Sequence, residues 1–297
     1  MNAQFILPEF YRYNAIYGTL AQIIQETPDV LLPNTELYTL FGVFPGCIWN
    51  GGGVSIGGNI LRDQVEDTIM YYNEELNIPL TFTFTNPILE EKHYYDTYCN
   101  MIAEVGNNGK NAILVSNLEF EKYLRENYKN YRYCRSILAS ENIPYTLDGP
   151  YGKYDISVMK RGNNNNWEYL NTIPMEDRSS IELLCNDPCI DNCPRIYSHY
   201  SDMARAQLEY STQVEGLQCS IDPELRHFLY KYIKSELTSY ISRDMIDKEY
   251  LPKGFCKFKC SGRSSIINCM FNIVNYLIKP EYREDILAMM LNSLGIT

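Results

Sequence analysis

The chain has 297 residues, 45% of them hydrophobic, and its 26 Lys and Arg against 37 Asp and Glu leave a formal charge of −11. This composition excludes a disordered or fibrous chain and supplies enough apolar residues for a large core. The acidic balance excludes bulk electrostatic adhesion to nucleic acid or anionic membranes, while a local basic cleft stays compatible with it.

The N-terminal Met1-Asn2-Ala3-Gln4 carries no basic cluster and no long apolar run follows it. Neither a secretory signal nor a membrane span is therefore expected, and a cytoplasmic location is the default. Ten cysteines in such a chain point to thiols, metal or cluster ligation in a reducing compartment rather than to disulfides. The tyrosines, 26 in all, are read as packing residues with buried rings and wet hydroxyls.

Residues 1–35 read as a lead-in segment with a helix over Tyr13–Glu26, stopped by Pro28 and Pro33. The domain proper is expected over 36–297, with a cysteine loop at 185–193. Short apolar runs then alternate with helix-length segments. Strands are predicted at Leu37–Phe44, Leu80–Thr85, Ala112–Val115, Arg135–Leu138, Asp155–Met159, Ile181–Leu184, Leu237–Ile241 and Phe255–Lys259. Helices are predicted at Asn59–Leu76, Glu91–Val105, Leu118–Tyr128 and Ser264–Ile278. Eight strands in βα alternation predict a single α/β domain of the (β/α)8 TIM-barrel type.

In such a barrel, functional groups sit at the strand C-terminal ends and in the loops after them. Those places hold Cys47–Gly53, Asn86, Ser116, Asn117, Lys160, Arg161, Cys185–Cys193 and Ser261–Arg263. Substrate-binding candidates are Asn86, Arg161, Arg263 and His199, the histidine next to the cysteine loop. Arg263 directly precedes a helix start, where backbone N–H groups and a planar guanidinium suit an anionic ligand. The glycine-rich loop Asn50–Asn59 is not a phosphate loop, because Asn59 and Ile60 stand where Lys and Ser or Thr are required. His93 and His227 fall in helical stretches and are read as packing or surface residues.

Cys185, Cys189 and Cys193 recur every four residues among loop-forming Asp, Asn and Pro. That pattern suits an iron–sulfur cluster or a structural zinc, with a fourth ligand from elsewhere. Cys219 and the pair Cys256/Cys260 are the first candidates. Cys99, Cys134 and Cys269 are expected to be small core residues.

The loop Cys189-x-x-x-Cys193-Pro194-Arg195, the isolated Cys219, Ser239–Asp244 and Phe258-Lys259-Cys260-Ser261-Gly262-Arg263 follow one another in a familiar order. With Leu40–Phe44 near the start, the chain from about 36 to 280 resembles the collagenase-like peptidase family U32. Cys260 and Ser261 stand where that family carries Ile and Glu. The resemblance implies a barrel-like domain with a 4Fe–4S cluster on four cysteines, a structural zinc being the alternative. Carried over to this chain, the ligands are Cys189, Cys193, Cys219 and Cys256, with Cys185, Cys260 and Cys47 as rivals for the fourth place. It also implies a redox enzyme like the oxygen-independent hydroxylases that act on small aromatic compounds or RNA, favoured over a peptidase. An accessory subunit with a zinc site, working with a protein partner, is the non-enzymatic alternative.

Overall fold

The computed structural model describes residues 1–139, 145–187, 189, 193, 195–212, 239–263 and 265–296. Eight parallel strands close into a barrel: β1 (Ala3–Pro8), β2 (Thr35–Gly42), β3 (Leu80–Phe84), β4 (Ala112–Val115), β5 (Arg132–Arg135), β6 (Ile156–Val158), β7 (Ile181–Leu184) and β8 (Lys257–Lys259). The expected (β/α)8 architecture is therefore present. Closure is made by β1 and β8, with Gln4 opposite Lys257 and Ile6 opposite Lys259.

The eighth strand is not the expected one. Ala3–Pro8, read from sequence as part of a lead-in, is a barrel strand, and the helix after it is the barrel's first, α1 (Asn14–Glu26). Of the run Leu237–Ile241, Ser239 and Tyr240 pair antiparallel with Asn186 and Asp187, outside the barrel. The fourth strand lies three residues earlier than expected, at Arg132–Arg135, because Ser136 already turns the chain out of the sheet.

The other long helices are α2 (Arg62–Met70), α3 (Thr97–Gly106), α4 (Leu118–Asn127), α5 (Ile196–Leu208), α6 (Ile266–Tyr276) and α7 (Arg283–Ser293). In α1 the buried residues Ile16, Tyr17, Leu20 and Ala21 recur at helical spacing and form one face. Asn117 and Ser265 cap α4 and α6, their side-chain oxygens accepting the N–H groups of Phe120 and Asn268.

Along each strand the side chains alternate between two cores. Phe5, Leu7, Leu40, Phe82, Phe84, Ile113, Leu183 and Phe258 belong to the large core shared with the helices. Ala112, Leu114, Cys134, Ile156, Val158 and Leu184 form a separate inner core with Tyr38 against it. Each fully buried Phe contributes about 1.5–3 kcal/mol, so the outer shell supplies most of the stability. The inner core is smaller because several inward positions carry polar residues.

Candidate active site at the barrel mouth

Above the inner core, at the strand C-terminal ends, lies a cavity of about 1530 Å³. Phe41, Thr83, Leu114, Val158, Leu184 and Lys259 line its floor, one from each of six strands, and the loops after the strands form its wall. Among the described residues, four cationic side chains line it, Arg12, Arg161, Lys259 and Arg263, against the carboxylates of Glu9 and Asp187. The mouth is thus a positive spot in an acidic chain.

Three ion pairs organise that charge. Lys259 Nζ lies 3.0 Å from Glu182 Oε1, with the two side chains 11% and 5% exposed, and 4.2 Å from the centre of the Phe41 ring. The separation makes an ion pair, yet Glu182 Oε1 receives no properly directed hydrogen bond. The contact is electrostatic, since charge attraction at this distance depends little on angle. Arg161 Nε pairs with Asp187 Oδ2 at 2.5 Å, and Arg161 Nη2 donates to Tyr200 Oη at 2.7 Å. Arg263 Nε pairs with Glu9, and Arg263 Nη2 donates to Asn50 Oδ1 at 3.2 Å.

Local backbone fixes the third pair. Glu9 follows β1 with φ of 64°, a left-handed conformation uncommon for a residue with a side chain. Asn50 Oδ1 also accepts from Thr83 Oγ1 at 2.8 Å, and its amide donates to Gly53 O at 2.6 Å, so one side chain joins the floor, the glycine loop and Arg263. A Cβ on Gly52 would stand 2.7 Å from Arg263 Nη1, so the glycine lets the guanidinium lie against the loop. Tyr13 Oη donates to the carbonyls of Gly262 and Arg263 at 3.1 and 3.0 Å. Burial pushes the Tyr13 phenol up to about 12, against the opposing charges of Arg12 and Arg263.

Of the residues singled out in the sequence, Arg161 and Arg263 meet in this lining. His199 is half-buried on α5, beside Tyr200 and outside the lining. Asn86 does not face the mouth. Its amide donates to the carbonyls of Ile48 and Ala204, and its oxygen accepts from Ile88 N. The fully buried side chain ties loops together and lies outside the cavity lining.

The cysteines separate into distinct places. Cys189 and Cys193 are half-buried in the loop after β7. Asp187 joins that loop to the mouth, because its Oδ1 accepts from Cys189 N at 3.0 Å while its Oδ2 holds Arg161. Cys219 lies outside the described residues, as does His227. Cys256 is not brought to the loop. It sits at the N-terminal end of β8, its sulfur 3.8 Å from Gln4 Oε1 and from Ser179 O, at the far end of the barrel.

Cys185 is wholly buried next to Cys260, and burial, reinforced by that neighbour, pushes its thiol far up. Cys47 and Cys99 form another buried pair, their sulfurs 3.5 Å apart. Among the described residues no three His, Cys, Asp or Glu side chains converge as metal ligands. The described residues therefore do not assemble a four-thiolate set.

Sequence reading placed Asn50 and Asp187 within rim loops without singling them out, and missed Glu9, Glu182, Tyr200 and Lys259. The available signal was charge inside apolar strands, Glu182 within Ile181–Leu184 and Lys259 within Lys257–Lys259. Among the described residues no helix is long and apolar enough to cross a membrane.

No family model matches the chain, and no curated protein matches it in sequence. Among solved structures it is similar to that of the U32 peptidase Mk0906, at 13% identity over 88% of this chain and 93% of that one, with a TM-score of 0.47. That is the family which the sequence motifs resemble.

Proposed function

We propose that this protein is an enzyme that binds an organic anion in the barrel mouth, with a metal or iron–sulfur centre held by the adjoining cysteine loop. The observation that carries this reading is Asp187, which grips the cavity arginine Arg161 with one oxygen and the backbone of Cys189 with the other. Anion site and thiol loop are one unit. Cys189, Cys193 and Cys219 are the proposed ligands, and Cys185 and Cys260, buried at the same end of the barrel, remain rivals for the fourth place. Thiolates in such a loop bind soft metal ions, and a cluster there would supply electron transfer to a substrate held beside it.

Purification under anaerobic conditions, followed by iron, zinc and acid-labile sulfide analysis with an optical spectrum, tests the thiol half. Cys189→Ser and Cys193→Ser should each lower metal content. Full metal content and an unchanged spectrum in both variants would sink the assignment. For the anion half, Arg263→Lys should weaken benzoate binding roughly tenfold with the fold intact, since Lys keeps the charge and loses the planar fork.

A further inference from the structure

We infer that Glu9 is a specificity-determining residue of the barrel mouth, one that selects monoanionic carboxylates over dianionic phosphate esters. This rests on the anion-binding reading above and names the class of anion.

The placement of Glu9 is built rather than incidental. Its backbone holds φ of 64° while its N–H donates to Phe41 O at 2.6 Å and its own carbonyl accepts from Tyr13 N at 2.9 Å. The carboxylate, 7% exposed, is delivered to the Nε edge of Arg263. Asn50 takes one hydrogen of Nη2. The other guanidinium N–H groups have no acceptor among the described residues. A ligand anion therefore meets Arg263 at its Nη side, with a fixed negative charge already on the opposite edge.

Charge counting then sets the preference. Arg12, Arg161, Lys259 and Arg263 face the cavity with Glu9 and Asp187, and Glu182 lies against Lys259 at the floor. Among the described residues, four positive and three negative groups leave one positive charge at the mouth. A carboxylate neutralises it, whereas a phosphate monoester, with a second pKa near 6, brings a second charge and leaves the mouth net negative. Tyr13, whose hydroxyl donates to the Arg263 carbonyl, stays protonated at neutral pH and adds nothing to the count. Removing the charge of Glu9 alone raises the total to two and suits the dianion.

Calorimetric titration of the full chain with benzoate and with phenyl phosphate at pH 7.5 tests this, because the probes share a ring and differ in charge. The wild type should prefer benzoate. Glu9→Gln should raise phenyl phosphate affinity relative to benzoate by about tenfold, the scale expected for one nearby charge in a partly screened site. Glu9→Asp keeps the charge, tolerates the left-handed backbone, and should keep the wild-type ratio. If both probes bind and Glu9→Gln leaves the ratio unchanged, Glu9 does not set specificity while the anion site stands. If neither probe binds the wild type or Glu9→Gln, the anion site falls and this inference with it.

Discussion

The two ends of the barrel are built from the same eight strands and handle polar side chains in opposite ways. At the N-terminal end, inward groups are satisfied close to home: Gln4 Nε2 donates to Glu36 at 3.2 Å, and Lys257 Nζ donates to Ser179 O at 2.5 Å. At the C-terminal end, Lys259, only two residues further along β8, meets one carboxylate at a poor angle and faces a cavity. The difference marks the mouth as the candidate site. Polar groups that close the barrel are paired to backbone and amide, whereas those at the mouth are ions held in pairs, a costly arrangement to maintain where no ligand has use for it.

The sharpest way to break that contrast is to remove one lysine from each end. Lys259→Met leaves the buried Glu182 carboxylate without its counter-charge and should cost about 3–5 kcal/mol. Lys257→Met leaves the Ser179 carbonyl with only the weak Cys256 thiol as donor and should cost about 1 kcal/mol. Replacing both Lys259 and Glu182 by Met and Leu should recover most of the loss, since a filled apolar core needs no counter-charge. Urea unfolding of the four proteins measures this, and equal costs at 257 and 259 would erase the distinction between the ends.

A smaller effect comes from protons held behind the mouth. Burial pushes the Cys269 thiol up to about 12 from an ordinary value near 9, eased by its contact with Tyr17 at 3.3 Å, and the Tyr13 phenol up to about 12 from 10. Both groups keep their protons longer in the folded chain than in the unfolded one. Stability from this source is whole below about pH 9 and is lost as pH climbs from there towards about 12. Thermal melts at stepped pH should show that fall, and Cys269→Ala should flatten part of it. A wild-type midpoint that does not change between pH 8.5 and 11 would contradict the burial of these groups.

The barrel was legible in the sequence because eight apolar runs in βα alternation have few other solutions. Its seam was not. Ala3–Pro8 holds one short apolar run beside a strong helix pattern, and strands buried on both faces lose the alternation that marks a half-buried one. Placing β1 outside the barrel hid Glu9, which lies on the functional rim only if β1 is a barrel strand. The rule that strand C-terminal ends carry function selects Arg161 and Arg263, and both line the cavity. The same rule selected Asn86, because position along a strand does not tell whether a side chain faces the mouth or the loops behind it. Glu182 and Lys259 stood in plain view as charges in strands, and only closure of the sheet makes them neighbours.

The mildest expected effect concerns Cys256 and sharpens the comparison from the other side. Sequence proximity to Cys260 and Arg263 made it a candidate for the fourth ligand. From 256 to 260 the chain runs the length of a strand, and four residues at about 3.3 Å each carry it roughly 13 Å, from one end of the barrel to the other. In place, the Cys256 thiol is buried, its sulfur 3.8 Å from Gln4 Oε1 and Ser179 O, and burial raises its pKa. A group held as a neutral thiol at the closed end is a packing residue. Cys256→Ser should therefore change stability by less than about 1 kcal/mol, since the hydroxyl is smaller than the thiol and can use the same acceptors. Metal content after anaerobic purification should match the wild type, in contrast to Cys189→Ser and Cys193→Ser. Loss of metal in Cys256→Ser with an unaltered urea midpoint would return that cysteine to the ligand set and would require the strand order around β8 to be drawn again.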